Sequence, residues 1–128
     1  MVYVTTNSPT EQDSEDFRSE GLSPDVVFTL LSHPKRRAVV RLLLNQDRAL
    51  TLRDLRNEIV EREEGIEITE ADESQTRQTL VSLHHAHIPK LTEAGVVTYD
   101  KDRQIVEPTE KIGQLESFLS CVDNIPTD

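Results

Sequence analysis

The sequence predicts a mainly α-helical fold with one small β-hairpin and a further helix at the C-terminus. Apolar residues recur at helical spacing along most of the chain after residue 22, and two β-rich segments flank a polar turn near residue 100. A chain of 128 residues has room for one core. We expect residues 1–21 to form a disordered acidic tail, 22–108 the folded domain, and 109–128 a C-terminal helix and tail.

The first three helices each have a sequence signal for their start. Hydroxyl side chains cap helix N-termini, and proline is favoured at the first helical position. The starts predicted in this way are Ser23-Pro24, His33-Pro34 and, from the shortened capping box of Thr51 and Asp54, Leu52. The second helix should run to about Asn45, and the third to about Glu64 with Gly65 as its stop.

The fourth and longest helix follows an acidic connector, residues 66–73, with Asp72 or Ser74 as its cap. Pro89 lacks an amide hydrogen and should kink or restart this helix. At about 100° per residue, its apolar face holds Leu80, Leu83, His84, His87, Ile88 and Leu91. The opposite, polar face is expected to hold Gln75, Gln78, Thr79, Ser82, His85 and Ala86.

The chain ends in a hairpin and one more helix. Val96–Tyr99 and Ile105–Glu107 are predicted strands around the polar turn at residues 100–103, and Pro108 suits a strand end. Thr109 is a candidate cap for the last helix. The order of helices followed by a hairpin is typical of a winged helix-turn-helix domain with an added C-terminal helix.

Three sequence blocks make this chain resemble the ArsR-like winged-helix domains common in haloarchaeal proteins, many of which are classed as domains of unknown function. The blocks are Leu30–Arg37, Leu50–Leu55 and His87–Val97, and the last matches in order a histidine, an aliphatic residue, Leu91, Ala94-Gly95 and two aliphatics. The resemblance extends from Val27 to Val122. It implies a DNA-binding transcription regulator. The connector before the fourth helix is longer than the tight turn usual in the family.

DNA contact is expected at three places. The N-terminal part of the fourth helix would read bases, because helix-turn-helix proteins place that part against base edges. The hairpin tip would either touch the backbone or form a solvated turn, because acidic residues alternate with its cations. The dense basic cluster of the second helix is either a phosphate clamp or paired within the chain. The candidate residues are Gln75, Arg77, Gln78, Thr79 and Ser82 on the helix, Lys101 and Arg103 on the tip, and Lys35 and Arg36 in the cluster.

The last helix has an apolar stripe that is a candidate homodimer interface, formed by Ile112, Leu115, Phe118, Leu119 and Val122. Two-fold pairing would also place two recognition helices on successive major grooves. The alternative is that the stripe folds back onto the first helix of the same chain.

Other chemistry is not indicated. His84, His85 and His87 have metal-like spacing, but two of them fall on the apolar face, so bonded core histidines are the better interpretation. Cys121 is the lone cysteine, and the sequence has neither a phosphate loop nor an activated nucleophile. We therefore expect no enzyme activity, catalytic residue, metal, cofactor or small-molecule substrate, no membrane segment and a cytoplasmic location.

The net charge of -10 is the wrong sign for simple adhesion to phosphate backbones. It is a charge typical of proteins from salt-loving microbes, where high salt screens repulsion. Two functions remain open at this point: a homodimeric, sequence-specific DNA-binding transcription regulator, and a non-enzymatic adaptor whose winged helix binds another protein.

Overall fold

The computed structural model of the protein describes residues 21–123, so the predicted disordered tail lies outside the described residues except for Gly21. The regular elements are, in order, α1 Pro24–Leu31, α2 Pro34–Gln46, β1 Leu50–Thr51, α3 Leu52–Glu64, α4 Glu73–Ser82, α5 Ile88–Glu93, β2 Val97–Asp100, β3 Ile105–Pro108 and α6 Glu116–Asp123. This is the predicted fold class: a winged helix-turn-helix, mainly helical with a small hairpin, followed by a C-terminal helix.

The predicted helix caps are present. The side-chain oxygens of Ser23, Thr51 and Asp72 accept hydrogen bonds from the amides two or three residues further on. Gly65 ends α3 with a φ of 72°, a left-handed conformation that glycine adopts without strain, and its amide donates to the Glu61 carbonyl. Local side-chain chemistry therefore sets these boundaries.

The sheet contains a short strand that the sequence did not reveal. β1 pairs antiparallel with β3, with Leu50 opposite Val106, so the sheet order is β1, β3, β2. The turn between β2 and β3 needs no glycine, because the Asp100 carboxylate accepts the amides of Asp102 and Arg103. Gln104 then takes a left-handed φ of 55°, and its carbonyl accepts the Leu52 amide, which ties the hairpin to α3.

Pro89 lies in the first turn of α5, which has no side-chain cap, and the helical path continues through it. A π-helical turn, Leu83–His87, joins α4 directly to α5, and the Ile88 amide donates to the Leu83 carbonyl five residues back. In an α-helix the ring of Pro89 would clash with the carbonyl of His85. The wider turn relieves that clash, so the expected kink takes the form of a π-bulge.

The C-terminal stripe is the main correction to the fold. Ile112, Leu115 and Leu119 are buried in the same core cluster as the apolar residues of α1, α2 and the sheet. The segment starts as a 3₁₀ helix, Glu110–Leu115, that contacts α2, and Gln114 Oε1 accepts the Leu22 amide at 2.9 Å. The predicted dimer surface is therefore wrong for these three residues, because their own chain covers them. Phe118 remains 47% exposed and Val122 is partly buried.

We predict that Leu115→Ala lowers the free energy of unfolding by about 2–5 kcal/mol, since it leaves a cavity in the core. Phe118→Ala, a larger truncation three residues on, should cost less than about 1 kcal/mol. Urea unfolding at several protein concentrations measures both. A midpoint that rises with protein concentration, together with an equal loss for Phe118→Ala, would instead show that the stripe is an intermolecular interface.

Candidate nucleic-acid interface

Helices α3 and α4 contact each other and form the helix-turn-helix pair. The connector between them contains a 3₁₀ turn, Ile68–Glu70, and is fixed to α3 by a bond from the Ile68 amide to the Glu61 carboxylate at 2.9 Å. α4 starts after this connector, and the π-turn and α5 then lead into the hairpin. In proteins with this arrangement the second helix enters the major groove.

The outward side of α4 and of the π-turn that continues it has a row of exposed side chains, which we call the recognition stripe: Ser74, Gln78 and Val81 on α4, and His85 in the π-turn. Their spacing of four, three and four residues places them on one side of the helix. The side opposite is buried through Thr79 and Leu83. The stripe combines hydroxyl, amide and imidazole groups with an apolar side chain, Val81, that is 49% exposed.

Three predicted α4 residues are not where the sequence placed them. Thr79 is 1% exposed, because it lies one helical turn before Leu83 on the inward side. Ser82 is half-buried and its hydroxyl donates to the Thr79 carbonyl. Gln75 is also half-buried and lies about 160° around the helix from Arg77. The expectation that all the chosen side chains share one exposed face is therefore wrong, and Gln78 and Arg77 are the ones that remain exposed.

The basic cluster of α2 is not a surface clamp. Arg36, predicted as a DNA contact, is 6% exposed, and its guanidinium donates to the carbonyls of Leu30 and Thr29 at 3.0 and 2.8 Å. Arg37 donates to the Leu31 carbonyl at 2.7 Å. Both arginines thus cap the last turn of α1, whose carbonyls have no partner within the helix. This placement is favourable because cations stabilise helix C-termini.

Lys35, the other predicted contact in this cluster, forms an ion pair with Glu63 at the end of α3. The Nζ–Oε2 distance is 3.0 Å and the lysine side chain is 20% exposed. The structure therefore favours intramolecular pairing for Lys35, Arg36 and Arg37 over a phosphate clamp.

Two histidines lie against this cluster in neutral form. His87, in the π-turn, is in hydrogen-bond contact with Arg36 Nη1 at 3.1 Å through Nδ1, and His33 Nδ1 accepts the Lys35 amide at 3.1 Å. The Arg36 guanidinium and the Lys35 amide can only donate, so both Nδ1 atoms are acceptors and each neutral ring carries its proton on Nε2. Burial is the main cause that lowers the pKa of His87 to about 4, followed by repulsion from His33 in its protonated form and from Arg36. The pKa of His33 is lowered by burial and by the same cations.

The hairpin tip keeps its two predicted cations at the surface. Lys101 and Arg103 are exposed, and neither has an ion pair within the described part of the chain. The Asp100 carboxylate, which alternates with them, is engaged by two backbone amides of the turn. The tip therefore presents two cations, with the exposed Asp102 between them and the Asp100 carboxylate bound to the turn.

A basic groove between α3 and α4 was missed as a site. It is lined by Arg53 and Arg56 from α3, Arg77 and Glu73 from α4, and residues of the connector between them. Arg53 and Arg56 are three residues apart and so share one side of α3. The sequence does show that spacing, but it does not show that the connector brings α4 alongside.

The other candidates have ordinary structural roles in residues 21–123. His84 Nδ1 and the Tyr99 hydroxyl are within hydrogen-bond distance at 3.2 Å, which joins the π-turn to β2. No group of three or more His, Cys, Asp or Glu side chains in this part of the chain is arranged to hold a metal ion. Within the same residues, no helix is both long and apolar enough to cross a bilayer. Cys121 is exposed on α6.

Comparison with known proteins places most of the folded part of the chain in a family. The family described as Domain of unknown function (DUF7344) matches residues 28–107, from α1 to β3. No curated protein matches the chain. No solved structure matches it either. The match covers the helix-turn-helix and the hairpin and stops before α6.

We predict that acid destabilises this domain through His87. Because its pKa is lowered in the fold, the unfolded chain binds a proton first as the pH falls, so stability present above pH 6.5 is lost between pH 6.5 and about 4. The loss amounts to roughly 3 kcal/mol at most. Urea unfolding across this range should show a smaller pH dependence for His87→Gln than for the control His85→Gln, whose side chain is exposed. Equal slopes for both variants would contradict the assignment.

Proposed function

We propose that this chain, which belongs to the family described as Domain of unknown function (DUF7344), is a sequence-specific DNA-binding transcription regulator of the winged-helix type. α4 enters the major groove and the hairpin tip contacts the backbone beside it. The resemblance to ArsR-like domains of haloarchaea implies the same activity. Such a regulator would act in the cytoplasm, on chromosomal DNA.

The observation that carries the proposal is the recognition stripe. An amide such as that of Gln78 can donate to and accept from adenine at once, and an exposed apolar side chain such as Val81 fits the methyl group of thymine. Ser74 at the N-terminal end has a hydroxyl suited to a base edge or a phosphate. An exposed valine in the middle of a polar helix face exposes apolar surface to water, and burial against a base removes that exposure.

The position of the cations supports the same face. The basic cluster of α2, Lys35 to Arg37, is used inside the domain. The exposed cations are Arg53 on α3, Arg77 on α4, and Lys101 and Arg103 on the hairpin. In a molecule with a net charge of -10, these local charges are the source of attraction to phosphate. Glu70, Asp72 and Glu73 oppose them at the start of α4, so the attraction is modest.

Self-association remains part of the proposal in a reduced form. A winged-helix regulator that reads two half-sites is a two-fold dimer. Of the predicted interface, Phe118 and part of Val122 stay at the surface, and Phe28 on α1 is 77% exposed. A dimer would therefore use a small apolar area and would form most readily on DNA.

The second candidate function is an adaptor that binds protein. Phe28, the most exposed large apolar side chain among residues 21–123, favours it, as does the acidic surface. This candidate predicts no preference among DNA sequences. It is distinguished from the regulator by the same experiment.

The test is selection of duplexes from a random library by the full chain in molar KCl. We expect a defined motif to be enriched. Gln78→Ala and Val81→Ser should each lower affinity for that motif by about 5- to 150-fold, which corresponds to about 1–3 kcal/mol of base discrimination. They should also relax the preference at one base position.

The matched control is Gln46→Ala, which removes an exposed glutamine at the end of α2. It should leave both affinity and motif unchanged. Enrichment of no motif by the folded protein would overturn the proposed function and favour the adaptor. A motif that is unaffected by Gln78→Ala and Val81→Ser would overturn the recognition stripe.

A further inference from the structure

We infer that the groove between α3, the connector and α4 is a phosphate-binding site built from Arg53, Arg56 and Arg77. Within the proposed function, the ligand is a phosphate of the DNA backbone beside the major groove that α4 enters. The assignment of the ligand to DNA rests on the proposed function. The ability of the groove to bind a phosphate group is independent of it.

The three guanidinium groups come from two separate helices. Arg53 and Arg56 project from the first turns of α3, and Arg77 projects from α4 on the side that faces the groove. The connector residues Ile68, Thr69 and Ala71 also line the groove. A tetrahedral phosphate has acceptor oxygens in several directions, so it can accept hydrogen bonds from both helices at once. A planar carboxylate pairs with one guanidinium in the plane of its two oxygens, so it would bind fewer of the three arginines at once.

The positive charges in the groove are only partly compensated within the described chain. Burial, followed by the charge of Arg53, lowers the pKa of Arg56, which records both partial desolvation and repulsion between the two arginines. No carboxylate of residues 21–123 forms an ion pair with Arg53, Arg56 or Arg77. Glu73 lines the same groove, so the balance of the formal charges there is about +2. A bound anion would relieve the repulsion.

One of the arginines is already held in place. Asn57 Oδ1 accepts hydrogen bonds from Arg56 Nε and Nη2 at 2.9 and 2.7 Å. A guanidinium has five N–H donors, so three remain available to a ligand. Because the Arg56 side chain is already ordered, less conformational entropy is lost when an anion binds. Such bracing of a partly buried cation is expected of a binding site, whereas a freely solvated surface arginine needs none.

The first measurement uses the full chain and inorganic pyrophosphate, with ionic strength held constant by KCl. We expect saturable shifts of the Arg53, Arg56 and Arg77 Nε–Hε resonances and a rise in Tm. Arg53→Gln/Arg77→Gln should abolish the saturation, and both substituted side chains are exposed, so the fold is retained. The charge-matched control is Arg48→Gln/Arg62→Gln, two exposed arginines outside the groove, which should behave as wild type.

The second measurement uses the selected duplex. For Arg53→Gln/Arg77→Gln, the slope of log affinity against log salt should become shallower by about two units, with the same preferred sequence. Pyrophosphate that binds the groove when no DNA motif exists would support the phosphate site and overturn the proposed function. Shifts that are linear and spread over all arginines, with an unchanged salt slope in the groove variant, would overturn the phosphate site and leave the proposed function standing.

Discussion

The guanidinium of Arg36 is the contact on which the orientation of the helices depends. It satisfies carbonyls at the end of α1, and it also meets Ser32 Oγ and the imidazole of His87 in the π-turn. One buried side chain of α2 therefore links α1 to the helix that carries the recognition stripe. Its removal would leave the buried Leu30 carbonyl without this donor, at a cost of about 1–3 kcal/mol, whereas the Thr29 carbonyl also accepts from Ser32. The neutral state of His87 follows, because a protonated ring cannot accept from Arg36.

The densest group of cations in this acidic protein is used inside the domain. Pairing of Lys35 with Glu63 and of two arginines with α1 carbonyls removes the densest basic run from the surface. The cations that remain exposed around the helix-turn-helix and the hairpin are few, so their effect depends on position. High salt screens the repulsion between the acidic surface and a duplex beyond a few ångströms, whereas contacts at hydrogen-bond distance persist.

Sequence patterns predicted the structural features that depend on residues close together in the chain. The caps at Ser23, Thr51 and Asp72 and the stop at Gly65 are encoded within four residues of each helix end. β1 could not be predicted, because two residues carry no periodicity and their pairing with β3 joins positions more than fifty residues apart. An apolar stripe such as that of α6 has the same pattern whether its own chain or a second copy covers it. At the candidate site, the burial of Arg36 depends on carbonyls and a histidine from other elements, and Thr79 was assigned to the wrong side of α4.

The central claim is that the outward side of α4 is the surface that meets a base sequence. Titration of the isotope-labelled full chain with its selected duplex tests this claim residue by residue through amide chemical shifts. We expect the largest shift changes at Ser74, Gln78, Val81 and His85, with smaller ones at Lys101 and Arg103. Changes concentrated at Phe28 and Phe118, with the recognition stripe unaffected, would contradict it.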